Sequence, residues 1–347
     1  MDELAKTEMR NYATAAGFLL IATMFTVFFS RILTGITTGS IPETGCTTLI
    51  VSITLLILGV MLIAIRNRDL SAITFLMLGM MFLFFYINPG LGNMYLLSLI
   101  GISFILLAVI LLTTKDKTKY LLCLLPLLIG IRELFGGEFD PLIELRLIIT
   151  AAIIVLSVYF AFAVASERIH LPLGKILKAD VTTDFKASGS VLGYLLFALS
   201  TAAYAVYYFT SGGIAHESVA ALDIVCGSML IVSGVLLFAV AKMRFTPVMF
   251  ILLGFLIMVA TQVSWPATYG VGIMIIILGL FAMLRTESRI LPGLMLILYG
   301  LTGFTSGFFS GSVGMPVVQG IMNLIPCLIA VYLAFAVFSQ SNKLKLF

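Results

Sequence analysis

From end to end the chain is a succession of apolar runs about as long as a bilayer is thick. About twelve of them, each roughly 17–22 residues, are long enough to span or nearly span the hydrocarbon core. They lie near residues 12–33, 47–66, 70–88, 94–113, 119–135 and 145–165, then near 190–210, 220–241, 246–263, 269–284, 290–309 and 317–338. Runs of this length with few breakers must be helices that satisfy their own backbone groups in lipid. Hydrophobic residues make up 61% of the 347 positions and charged residues 10%. That balance leaves too little polar surface for a soluble domain of this size. The expected fold is therefore all-α, a polytopic membrane protein of about twelve transmembrane helices. Before the first run, the mixed-charge start Asp2–Arg10 carries no small-residue cleavage site, so that run reads as a retained helix and not a signal peptide.

The two halves of the chain read as one module written twice. Gly59-Val60-Met61-Leu62-Ile63-Ala64 recurs as Gly234-Val235-Leu236-Leu237-Phe238-Ala239, at a spacing of 175 residues. The register holds onward: Ser71 meets Thr246, Phe75 meets Phe250, and Leu78-Gly79 meets Leu253-Gly254. Near the ends, Tyr159-Phe160-Ala161-Phe162-Ala163-Val164 meets Tyr332-Leu333-Ala334-Phe335-Ala336-Val337. Several matches in one order, with aligned glycines, predict a first six-helix repeat over 1–166, a cytoplasmic linker over 167–189 and a second repeat over 190–347. Such duplications are a habit of channels and transporters.

Charge orients the spans. With alternating loops, seventeen of the twenty Lys and Arg residues fall on the N-terminal side, and only Arg31, Arg132 and Arg146 fall opposite. The positive-inside rule then puts both termini in the cytoplasm of a multi-pass cell-membrane protein, with the two repeats parallel. The net charge of +4 is the sum of a positive inner rim and a slightly acidic outer one, and does not point to nucleic acid. Cys46, Cys123, Cys226 and Cys327 lie in or at the ends of four different spans without CxxC spacing, as small apolar residues do.

Catalytic chemistry lacks its parts. A serine enzyme in the membrane needs a His or Lys base in a span, yet His170 and His216 both fall in expected loops, as the outer pair His216-Glu217 illustrates. There is no His-Glu-x-x-His and no Walker-type phosphate loop, so no enzyme, metal or cofactor is expected. Ionisable residues near spans are Asp223, Glu144 and Arg146, each expected at headgroup level at an outer helix start. The halves differ most between their fifth and sixth spans. Arg132, Glu133, Glu138, Asp140, Glu144 and Arg146 crowd that outer loop in the first half, whereas Thr302–Gln319 is uncharged. The second half has instead Gly303, Gly307 and Gly311 at four-residue steps, which suit close helix packing or a narrow path lined by backbone.

Three places carry a family resemblance. They are the Gly59 helix with its basic turn and the Gly79 helix, the ending Tyr159-Phe160-Ala161-Phe162-Ala163, and the tail Leu171-Pro172-Leu173-Gly174. In these the chain resembles the acetate uptake transporters, the succinate–acetate permeases, as a fused tandem duplication. That family opens its first helix with Asn-Pro-Ala-Pro-Leu-Gly-Leu. Here Asn11-Tyr12-Ala13-Thr14 leads to Gly17-Phe18, and Ser190 leads to Gly193-Tyr194, without either proline. The resemblance implies a solute pathway past Asn11, Gly17, Ile21 and Leu78 in one half and Gly193, Phe197, Leu253, Gly303 and Gly307 in the other. The family's aromatic constriction falls at Ile21 and Phe197 on the first helix and at Leu78 and Leu253 on the third, where only Phe197 is aromatic. Phe304 and Phe308 stand where asparagines are expected.

The resemblance also implies partners: the lipid bilayer, a small organic acid as solute, and further copies of the chain. Six-helix members commonly form six-membered rings, so three fused chains would close one. The expected function is a channel or secondary transporter for small monocarboxylic acids such as acetate, proton-linked through the neutral acid. Polar candidates for the pathway ends are Asn11, Ser190, Thr302 and Thr305. The alternatives are a passive channel for neutral amides or urea, whose family shares the six-helix plan, and a non-transporting membrane stress or scaffold protein.

Overall fold

The computed structural model describes residues 3–38, 45–65, 69–87, 94–112, 120–135, 142–165, 185–210, 214–239, 245–262, 267–284, 290–308 and 315–341. Among them the chain is all-helical, in twelve helices. These are α1 (Glu3–Thr38), α2 (Gly45–Ile65), α3 (Asp69–Ile87), α4 (Met94–Leu112), α5 (Tyr120–Leu134) and α6 (Ile143–Ala165). They continue with α7 (Phe185–Phe209), α8 (His216–Ala239), α9 (Phe245–Gln262), α10 (Ala267–Leu284), α11 (Ile290–Phe308) and α12 (Met315–Ser341). The expected turns at Asn88–Gly90, Trp265–Pro266, Arg66–Arg68 and Lys242–Arg244, the stretch from His170 to Lys178, and Gly311 lie outside the described residues.

Six segments are long and apolar enough to cross a membrane: Asn11–Thr34, Gly45–Leu62, Ile143–Val164, Gly189–Phe209, His216–Ala239 and Pro316–Ser339. Five helices contribute shorter apolar segments, among them Ser71–Ile87 and Tyr95–Ile110. At 15 residues, α5 reaches about 22 Å, short of a hydrocarbon core of roughly 30 Å. Large apolar side chains such as Ile50, Val155, Phe162, Phe238 and Leu328 stand exposed. A water-soluble monomer does not show this much apolar surface, and the protein is membrane-embedded.

The chain forms two compact units, Met1–Phe185 and Lys186–Phe347. In the first, α1 packs along α6 and α2, α2 along α3, and α4 along α5, which also meets α6. In the second, α8 packs along α9, α10 along α11, and α11 along α12. There α7 reaches α8, α9, α11 and α12 through Ser200, Tyr194, Phe197 and Phe209 respectively.

Close helix crossings rest on glycines, and several of them match between the two units. A β-carbon on Gly59 would lie 2.7 Å from the Leu76 side chain, and one on Gly234 would lie 2.7 Å from that of Ile251. Gly79 faces Leu56, as Gly254 faces Ile231. Between α4 and α5, a β-carbon on Gly130 would sit 2.7 Å from the Gly101 carbonyl oxygen and beside Ile105; between α10 and α11, one on Gly300 would sit 2.7 Å from the Gly272 carbonyl oxygen and beside Ile276. With no hydrophobic drive between helices in lipid, this close van der Waals fit is what holds a pair together.

Candidate functional site

Gly17 and Gly193 each let an aromatic ring lie against a helix backbone, that of Phe75 in one unit and Phe250 in the other. On the same turn Phe18 meets Phe75 edge to face at 5.2 Å, and Tyr194 meets Phe250 edge to face at 5.2 Å. The residues expected to form the constriction, Ile21, Leu78, Phe197 and Leu253, are each fully buried one turn further along. In each unit an aromatic contact between first and third helix lies one turn before these residues, at Phe18–Phe75 and Tyr194–Phe250. The matched phenylalanines 75 and 250 carried that signal in the sequence.

In the second unit this apolar contact passes directly into a polar cluster. Phe197, Ser200, Tyr204 and Tyr208 recur at three- and four-residue steps, which places them on one face of α7. Phe197 packs edge to face on Tyr299 of α11 at 5.0 Å. The Ser200 hydroxyl donates to Asp223 Oδ1 at 2.7 Å, Tyr204 hydrogen-bonds the same carboxylate, and Tyr299 hydrogen-bonds Ser200. Beyond them Tyr204 stacks on Tyr208, whose neighbour Tyr207 meets the His216 ring at 5.8 Å. Thr201 turns back to the Phe197 carbonyl at 3.0 Å.

Asp223 is 1% exposed and stands about 10 Å along α8 from its first residue. It is not at the start of its helix, as expected from the sequence, because α8 begins at His216. His216 and Glu217 form its first turn rather than a loop pair. The Ser218 and Val219 amides cap onto the Ala215 carbonyl, and Glu217 suits the positive end of the helix dipole.

The first unit keeps its polar groups elsewhere. Arg132 and Glu133, expected in a loop, occupy the last turn of α5 and are buried, 3% and 0% exposed. They form an ion pair, and Arg132 Nε donates to Thr150 Oγ1 on α6 at 3.0 Å. The guanidinium also lies over the Phe25 and Phe28 rings, 5.2 and 5.1 Å from their centroids. A delocalised guanidinium is less strongly hydrated than an ammonium, so it loses less on leaving water for these rings. Thr150 in turn donates to the Arg146 carbonyl at 2.6 Å.

The remaining expected pathway residues are scattered. Asn11 is half-buried on α1, Gly303 is half-buried on α11, and Gly307 lies near the end of α11. Of the expected set, Phe197 adjoins a polar cluster, through its contact with Tyr299. Among the described residues no group of three or more His, Cys, Asp or Glu is arranged to hold a metal ion. Comparison with family models, curated proteins and solved structures returns no match for this chain.

Proposed function

We propose that the chain is a cell-membrane channel or secondary transporter, built as two six-helix repeats in twelve spans, that passes small monocarboxylic acids such as acetate in a proton-linked manner. The observation that carries this reading is the Asp223 carboxylate, buried among apolar helices and held by hydroxyls in line with Phe197. An ionisable side chain inside a membrane protein is expensive, and such groups usually mark substrate or proton routes. Ser200, Tyr204 and Tyr299 each both donate and accept hydrogen bonds, which suits a neutral acid group needing a partner of each kind. Phe197 and Tyr194, on the same helix, supply the apolar wall through which charge would not pass. The matched glycine contacts of the two units, the shared offsets in sequence and the resemblance to acetate transporters support the duplication. The same resemblance supports three chains per assembly.

Purified protein in liposomes tests the reading by uptake of labelled acetate, succinate and urea between pH 5 and 8, with protein-free leak subtracted. Acids of this class titrate near the carboxyl values of about 4 to 4.5, so their neutral fraction grows about tenfold per unit of acidification near neutrality. Protein-dependent acetate uptake should follow that rise without ATP or sodium, and Asp223→Asn should lower it severalfold. Uptake that is flat with pH, or urea passing as fast as acetate, overturns the proposal in favour of a neutral amide channel. Absence of flux for all three solutes overturns transport itself.

A further inference from the structure

The matched contacts of the two units allow them to be compared position by position. Gly17 and Gly193 carry the rings of Phe75 and Phe250, Gly59 and Gly234 mark α2 and α8, and Gly130 and Gly300 mark α5 and α11. On α6 and α12 the marker is a hydrogen bond. Thr150 Oγ1 donates to the Arg146 carbonyl, and Asn323 Nδ2 donates to the Gln319 carbonyl at 2.9 Å. The match of Tyr159 with Tyr332 puts these two bonds in one register. Counted from the markers, Ser200, Tyr204, Asp223 and Tyr299 answer to Met24, Phe28, Thr48 and Ile129. All four counterparts are buried, three of them are apolar, and a threonine stands in place of the carboxylate.

Beside this level the exchange of bulk runs from large to small. Phe25, Arg132 and Glu133 of the first unit answer to Thr201, Thr302 and Gly303 of the second. The Arg132 guanidinium lies over Phe25 and Phe28 of α1, pairs with Glu133 on its own helix α5 and donates to Thr150 of α6, so one buried side chain ties three helices together. Protein interiors pack as densely as organic crystals, so a level filled in this way leaves no passage. Opening it would break a buried ion pair and draw the guanidinium off two rings. In the second unit Thr302 turns its hydroxyl back to the Tyr299 carbonyl at 2.6 Å, and Thr201 bonds within α7, so both small side chains stay next to the Asp223 cluster. We infer that the first unit is closed by its own side chains, with Arg132 as the seal between α1, α5 and α6, and that a solute route through this chain runs in the second unit alone, past Thr201, Thr302 and Gly303. The route rests on the transport reading, whereas closure of the first unit does not.

Thiol accessibility reads the closure without any flux. Met24→Cys and its counterpart Ser200→Cys are placed singly in the full-length protein carrying Cys46→Ser, and modification by N-ethylmaleimide in non-ionic detergent is followed at each site by peptide mass. Met24→Cys should react at least tenfold more slowly than Ser200→Cys. Adding Arg132→Ala with Glu133→Gln should speed it at least tenfold; the two are changed together so that no buried carboxylate is left alone. Should that variant fail to elute as folded protein, Arg132→Lys makes the milder change and should speed the reaction at least threefold. Equal rates at the two sites overturn the closure, and a Met24→Cys rate unmoved by the Arg132 variants overturns Arg132 as the seal. Absence of reaction at both sites shows the second unit closed as well and overturns the single route. In liposomes Met24→Phe should leave acetate uptake within twofold, whereas Thr302→Arg with Gly303→Glu, which installs the seal in the second unit, should lower it at least tenfold; similar losses overturn the single route. If no solute crosses while Met24→Cys stays protected until Arg132 is changed, the transport proposal fails and the closure of the first unit stands.

Discussion

A carboxylate inside apolar helices is only as stable as its donors, so single hydroxyls around Asp223 carry uneven weight. Ser200 sits in the middle of the chain of contacts, giving its proton to Asp223 and engaging Tyr299. Ser200→Ala therefore removes a donor from a buried charged group and a partner from a buried phenol at once, at about 1–3 kcal/mol. Tyr299→Phe keeps the ring against Phe197 and loses one bond, at about 0.5–1.5 kcal/mol. Thermal unfolding in detergent should rank Ser200→Ala below Tyr299→Phe, and the reverse order would refute the network. In transport, Phe197→Trp should cut flux more than Ile21→Trp, because Phe197 adjoins this cluster and Ile21 occupies an apolar stripe with Phe25 and Phe28; equal losses would argue against a pathway along α7. Asp223, Arg132 and Glu133 were visible in the sequence as charges near helix ends, but their burial was not. Hydropathy trims α8, which starts four residues before the expected 220, and charges read as loop residues stay helical in the last turn of α5, where Arg132 lies over two aromatic rings.

At the scale of helices, hydrophobic length alone located every element, since in lipid an apolar run has few alternatives to a helix. What length could not give was which helices touch. Glycine spacing held part of that information, for Gly59, Gly79, Gly234 and Gly254 mark the α2–α3 and α8–α9 crossings at positions already matched between the halves. Gly101 with Gly130, and Gly272 with Gly300, were less legible because their spacing slips relative to the 175-residue register. A β-carbon on Gly101, Gly130 or Gly300 would press on a backbone carbonyl, which cannot swing away as a side-chain end can. Gly130→Val and Gly300→Val should each destabilise by about 1–3 kcal/mol through overpacking. Gly270, with no heavy atom within 4 Å of its would-be β-carbon, provides the control. Gly270→Ala should be neutral or stabilising by up to about 1 kcal/mol, as expected for a helical glycine. Equal effects at Gly130 and Gly270 in thermal unfolding would show that the α4–α5 crossing is not held by close backbone approach.

Across the whole molecule, the units resemble each other in their glycine crossings and differ in their charges. A ring of three such chains would alternate carboxylate-bearing and arginine-bearing modules, and native mass spectrometry should find three copies; a monomer or six chains would refute that assembly. Orientation is the more fundamental question, because the direction of any proton-linked uptake depends on which ends of α5, α6 and α8 face outward. The seventeen-to-three division of Lys and Arg predicts that Lys178 faces the cytoplasm and His216 the outside. His216 is an exposed first residue of α8, so a cysteine placed there is reachable without unfolding. The native thiols interfere little: Cys123, Cys226 and Cys327 are buried, and exposed Cys46 can be replaced by serine. In sealed cells a membrane-impermeant maleimide should then label His216→Cys and spare Lys178→Cys until the membrane is opened. Labelling of both from outside, or of Lys178→Cys alone, would break the alternating twelve-span count and turn the Asp223 cluster toward the wrong compartment for the proposed uptake.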